Sequence, residues 1–265
     1  MRRALEDILV AIGPSTIAVS GGVDSMTLAV LAHRTLGRDR VTMMHAVSAA
    51  VPPEATRRVS DWALNEGWDL QLIDAGELAD ENYRDNPVNR CFFCKGNLYG
   101  TIAGRTDRQI LSGANTDDLG EYRPGLDAAK KHAVRHPYLE ARIDKATVRA
   151  LASQLHLGDL ADLPASPCLS SRVETLIRIE PETLSAIHAV ERLVSEQLAP
   201  RTVRCRVRHS GVVVELDATS LDAVSGDDRT LLAASIARLL PVSLMHKSID
   251  FAPYRNGSAF VGARP

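Results

Sequence analysis

A chain of 265 residues that is 45% hydrophobic and 24% charged can bury a core of its own, which excludes a disordered chain or a disulfide-stapled mini-protein. A formal net charge of -2 gives no general attraction to nucleic acid or anionic membrane, and no apolar run approaches the roughly 20 residues of a membrane span. Four cysteines are too few for a disulfide framework, and Glu6 and Asp7 interrupt the opening where a signal peptide needs its apolar stretch, so a cytoplasmic protein is expected.

Residues 16–20 are a short run of β-formers, followed by Gly21-Gly22 and a helical pattern over 25–36 in which Met26, Ala29, Val30 and Ala32 recur at three and four. Strands are predicted at 41–47, 68–73 and 109–112, and helices at 53–66, 95–104 and 146–155. Strands alternating with helices imply an α/β fold, a parallel twisted sheet covered on both faces. Residues 76–96 and 113–138 break the periodicity, and loops that long in a compact domain tend to be functional. After about residue 175 the pattern changes to a helix over 181–198, a hairpin of strands 203–209 and 212–216 around Ser210-Gly211, a helix over 230–240 and a strand over 242–251. The expected domains are therefore 1–175 and a small α+β C-terminal domain, 176–265.

Ser20-Gly21-Gly22-Val23-Asp24-Ser25 joins the first strand to the first helix. Two glycines let the backbone turn tightly and bring its N–H groups to an anion, and the helix start favours phosphate. Ser20 and Ser25 add hydroxyl donors, and Asp24 could hold magnesium between phosphates. The spacing fits neither the lysine-bearing nucleotide loop nor the dinucleotide fingerprint.

Cys91-Phe92-Phe93-Cys94 and the distant Cys168 read as three loop cysteines, able to hold iron–sulfur or zinc or to act as redox thiols. Three thiolates suit a 4Fe–4S cluster with one open iron. Cys205, inside a predicted strand, reads as packed and inert. His45, His132, His136 and His209 have no ligand spacing.

SGGxDS resembles the PP-loop of the ATP pyrophosphatases, whose fold is the adenine nucleotide alpha hydrolase-like type. Further segments narrow the resemblance. Asn86-Pro87-Val88-Asn89-Arg90-Cys91-Phe92-Phe93-Cys94-Lys95, the stretch from Ser112-Gly113-Ala114-Asn115 through Asp117-Asp118 to Tyr122-Arg123-Pro124-Gly125, Pro137-Tyr138-Leu139-Glu140-Ala141, Pro167-Cys168-Leu169-Ser170-Ser171-Arg172 and Tyr254-Arg255-Asn256-Gly257-Ser258 resemble, in order, motifs of the LarE family. The resemblance spans nearly the whole chain.

It implies an ATP-dependent sulfur transferase. Such an enzyme adenylates the carboxylates of pyridinium-3,5-biscarboxylic acid mononucleotide and replaces AMP by sulfur, giving a nickel-pincer cofactor precursor. ATP is then expected at Ser20, Gly21, Gly22, Asp24, Ser25 and Gly113, with Mg2+. Asp24, Asp118, Glu121 and Cys168 are the implied catalytic residues, and Arg123, Arg172, Arg204, Arg206 and Arg255 the implied acceptor ligands. Arginine suits them because it stays charged and binds phosphate or carboxylate bidentately. Cys91, Cys94 and Cys168 match the three-cysteine members that hold a 4Fe–4S cluster.

Two departures lie near the expected acceptor pocket. Val173-Glu174-Thr175 replaces an aromatic–glycine turn, and Ala259-Phe260 stands where the family has an asparagine. The alternative reading is a PP-loop enzyme that thiolates tRNA through a similar cluster; near-neutral charge and few aromatics argue against the RNA surface it needs. The expected partners are a nucleotide-like carboxylate and a sulfide donor left open, with no nucleic acid, no membrane, and a homo-oligomeric assembly.

Overall fold

The computed structural model describes residues 1–120, 124–164 and 167–261. The chain falls into two compact units, Met1–Glu77 with Asn89–Ser166, and Leu78–Val88 with Pro167–Pro265.

The first unit is α/β. Helix α1 (Arg2–Ile12) precedes β1 (Ser15–Ala18), α2 (Val23–Leu36), β2 (Val41–Ala46), α3 (Pro53–Glu66) and β3 (Asp69–Ile73). Then follow α4 (Arg90–Ala103), β4 (Gln109–Leu111), α5 (Pro124–Lys131) and α6 (Lys145–Gln154). The four strands form one all-parallel sheet in the order β3-β2-β1-β4, with Ile17 opposite both Met43 and Leu111. Successive strand residues face opposite sides. Met43 joins the core with Leu5, Leu9, Met26, Val59 and Leu151, and Met44 joins the core with Tyr99, Ile102 and Ile110. Helices thus cover both faces, α1, α2, α3 and α6 on one and α4 and α5 on the other.

Helix α5 forms inside the 113–138 stretch expected to be a loop, and two further helices differ from the sequence expectation. Helix α1 is missing from the expected elements although Leu5, Ile8, Leu9 and Ile12 recur at i, i+3, i+4 and i+7; Leu5 and Leu9 are fully buried and Ile12 packs against the same core. Helix α4 starts at Arg90 rather than Lys95, so Cys91 and Cys94 stand on its first turns and not in a loop. The reason is visible in burial: residues 91–98 are all half-buried, so no apolar face alternates with a polar one.

In the second unit α7 (Pro181–Leu198) lies against β5 (Val203–Val207). Strand β5 pairs antiparallel with β6 (Val212–Leu216), and β6 pairs parallel with β7 (Ile249–Pro253); α8 (Gly226–Ala237) lies between β6 and β7 in the chain. The predicted strand over 242–251 is shorter than expected at its start, because Pro241 leads into a 3-10 turn at Val242–Leu244. The segment Leu78–Val88 is stitched to this unit. The buried Asn86 amide donates to the carbonyls of Glu174 and Ile177, each at 2.9 Å, and Arg178 pairs with Glu81 and Asp85. Among the described residues no helix is long and apolar enough to cross a membrane.

Candidate active site

The strand order puts a topological switch point between β1 and β4, where the chain leaves toward β2 from one and arrives from β3's side for the other. In an open α/β sheet, ligands bind beyond the strand C-termini at such a point. The 20–25 loop follows β1 there, and Gly113 follows β4.

The loop is built tightly. Gly21 has φ 79°, and a Cβ on it would stand 2.8 Å from the Ala55 carbonyl oxygen at the start of α3. A Cβ on Gly113 would stand 2.9 Å from the Asp24 carbonyl carbon and the Ser25 nitrogen, so the β4 loop can approach only as glycine. The Ser25 hydroxyl donates to the Gly22 carbonyl (3.1 Å) and accepts from the Ser20 N–H and hydroxyl, both at 3.0 Å. Gly22 caps α2 with no side chain, which leaves the first helical N–H groups for an anion.

Asp24 is held from three sides. Its Oδ2 pairs with the Lys145 ammonium at the start of α6, its Oδ1 accepts from Asn115 Nδ2 at 3.2 Å, and its carbonyl accepts from the Tyr138 hydroxyl at 3.1 Å. The carboxylate is therefore pre-aimed, and its oxygen donors fit a hard cation such as Mg2+. Beneath the loop His45 is buried. Its Nδ1 donates to the Val19 carbonyl (2.8 Å) and its Nε2 accepts from Thr56 (2.9 Å), which fixes the tautomer because a carbonyl only accepts. Burial holds the His45 pKa below its ordinary value. Asp118 accepts the Asn115 N–H at 3.0 Å and so shapes the β4 loop. Glu121 and Arg123 lie outside the described residues.

The second unit holds four arginines in unlike settings. Arg172 is buried and chelates Glu191 through two nitrogens at 3.0 and 3.1 Å, and it also donates to the carbonyls of Pro167 and Cys168. Arg206 is buried against Glu215 (3.0 Å) and donates to the Ser171 and Arg255 carbonyls. Burial alone would raise the Glu215 carboxyl, but Ser258, Arg206 and Arg208 hold it low. Arg204 is half-buried over the Tyr254 ring. Desolvation first, and then the like charge of Arg172, push its guanidinium pKa down. Arg255 is exposed. Glu191 also accepts the Cys205 N–H (3.0 Å); that thiol is fully buried, and burial drives its pKa far up, in keeping with an inert cysteine.

Cys91 and Cys94, three apart on α4, fall on one side of the helix in the first unit. Cys168 is exposed in the second unit, just before the 3-10 turn Leu169–Arg172. Three thiols are the donor chemistry of an iron–sulfur centre. Among the described residues no three His, Cys, Asp or Glu side chains already gather as a metal-binding group.

No family model matches the chain. An uncharacterized protein of Synechocystis sp. is 33% identical over 91% of this chain and 90% of its own length. The pyridinium-3,5-bisthiocarboxylic acid mononucleotide synthase of Lactiplantibacillus plantarum is 27% identical over 91% of this chain and 87% of its own. The chain shares a family with the Synechocystis protein, and its likeness to the synthase over nearly the whole length supports a place beside the LarE enzymes. An uncharacterized protein of Methanocaldococcus jannaschii, 24% identical over 76% of this chain, is a further relative. Lys145, Glu191 and Glu215 enter the site only through the fold. Lys145 lies 121 residues from Asp24 and Glu191 lies 19 from Arg172, while Glu215 meets Arg206 across the β5–β6 pair; single lysines and glutamates carry no spacing signal.

Proposed function

We propose that the protein is an ATP-dependent sulfur transferase that adenylates a carboxylate of pyridinium-3,5-biscarboxylic acid mononucleotide and exchanges AMP for sulfur. The observation that carries this reading is the uncapped, glycine-built loop at the switch point, with Asp24 pre-aimed into it. The Lactiplantibacillus plantarum relative supports the acceptor, because its name is that of the bisthiocarboxylic acid product's synthase.

In the first step a carboxylate oxygen of the acceptor attacks the α-phosphorus of ATP, the bond to the β-phosphate breaks, and pyrophosphate leaves. The free N–H groups at the start of α2 receive the phosphates, and the Ser20 and Ser25 hydroxyls, bonded to each other and, through Ser25, to the Gly22 carbonyl, brace the loop that presents them. Asp24 would hold Mg2+, which neutralises phosphate charge when bound. Lys145 and Asn115 keep the Asp24 carboxylate in place for it. Gly113 lets the β4 loop close on the same phosphates, and Asp118 sets that loop's shape; by the family resemblance Glu121 is catalytic and Arg123 an acceptor ligand.

In the second step sulfide attacks the acyl carbon, and the carbon–oxygen bond to AMP breaks. Cys91, Cys94 and Cys168 would hold a 4Fe–4S cluster, whose chemistry when bound is to present a soft sulfur nucleophile. Arg204 and Arg255 bind the acceptor's phosphate and carboxylates. Arg172 and Arg206 belong to the same anion-binding group and, being saturated by glutamate and carbonyl partners, give it its rigid frame.

The test is product analysis. Wild-type protein with Mg2+, ATP and acceptor releases AMP and pyrophosphate, and Asp24→Ala abolishes that release while the fold survives. Formation of ADP and phosphate would refute cleavage between the α and β phosphates.

A further inference from the structure

Helix α3 packs against the 20–25 loop from one side. Its Ala55 carbonyl sits where a Gly21 side chain would be, and one turn on, Arg58 Nη1 donates to the Gly21 carbonyl oxygen at 2.8 Å. A trans peptide points its C=O and its N–H in opposite directions, and the described residues contain no cis bond. Fixing the Gly21 carbonyl toward α3 therefore fixes the Gly22 N–H away from it. No acceptor for the Gly22 N–H stands among the described residues, and α2 begins there without a side-chain cap.

Arg58 is half-buried, and its other guanidinium nitrogens have no protein acceptor among the described residues. Its bond to Gly21 is charge-assisted, shielded by α3, and stronger than a neutral one. Burial lowers the guanidinium pKa and the Glu54 charge on the same helix offsets part of this. A cation on a peptide carbonyl also polarises the peptide and makes its N–H a better donor to an anion.

We infer that Arg58 is a positioning residue for the phosphate site: it orients and polarises the Gly21–Gly22 peptide so that the Gly22 N–H faces the phosphates. The inference rests on the ATP-binding reading of the loop. It adds a residue from α3, outside the loop motif, that acts through the backbone and not by touching ATP.

The experiment uses Arg58→Met and Arg58→Lys in the full chain, with inorganic pyrophosphate and a non-hydrolysable ATP analogue as probes. Dissociation constants come from calorimetry, and the Gly22 amide shift from nitrogen–proton correlation spectra. Arg58→Met is expected to weaken pyrophosphate binding at least fivefold and to shrink the ligand-induced Gly22 shift. Arg58→Lys, which keeps a charged donor, is expected to restore most of both; it is also the readout should Arg58→Met fail to fold. If Arg58→Met melts at a lower temperature but binds pyrophosphate and shifts Gly22 as the wild type does, Arg58 is only structural and the inference is overturned. A wild-type chain that binds neither probe overturns the ATP reading itself, and is distinguishable because it needs no variant.

Discussion

Arg204 and Arg206 stand two residues apart on β5 and meet opposite surroundings. Arg206 is 4% exposed and bound to a glutamate that is 2% exposed. Removing one partner of such a pair leaves a buried charge and costs about 3–5 kcal/mol. Arg204 is half-buried, stacks over Tyr254 and feels the repulsion of Arg172 and Arg206, so an incoming anion relieves it. Arg206→Ala should therefore lower urea-unfolding stability by about 3 kcal/mol or more, whereas Arg204→Ala should unfold like the wild type and lose acceptor affinity in a direct titration. His45 supplies a pH dependence. Its folded pKa lies below the unfolded value of about 6.5, so below that pH the unfolded state binds more protons and stability falls. The slope is at most about 1.4 kcal/mol per pH unit. Unfolding measured between about pH 8 and about pH 5 should show this loss, and His45→Asn, which keeps a donor for Val19 and does not titrate, should flatten it.

At the scale of elements, the β1–loop–α2 unit was legible because three signals coincide: β-formers, paired glycines and an apolar helix. The parallel sheet followed from alternation. Helix α4 was misplaced because its first turns are half-buried all round, so periodicity had nothing to detect. The Gly113 role was legible only as a motif position; its physical cause is the 2.9 Å to the Asp24 and Ser25 backbone. A methyl group there must push two loops apart, and such overpacking costs about 1–3 kcal/mol. Gly113→Ala should thus weaken binding of an ATP analogue at least tenfold, with a smaller effect on acceptor binding, measured by calorimetry. Equal affinities in variant and wild type would mean that the β4 loop does not close on the nucleotide.

For the whole molecule, the sequence separates ligands that only the fold can assemble. Asp24 meets Asn115 and Lys145 across 91 and 121 residues, and Arg172 meets Glu191 on a helix read as plain amphipathic. What sequence could supply was the order of motifs from residue 20 to residue 258; the likeness to two relatives extends over 91% of the chain. The central claim is that ATP cleavage drives exchange of carboxylate oxygen for sulfur. Its most direct test is mass spectrometry of the acceptor after anaerobic incubation with Mg2+, ATP, sulfide and the wild-type protein. The predicted result is a thiocarboxylate product carrying sulfur in place of oxygen, with one AMP formed for each sulfur and Cys168 intact. An unchanged acceptor beside newly thiolated tRNA, or a product formed without AMP, would contradict it.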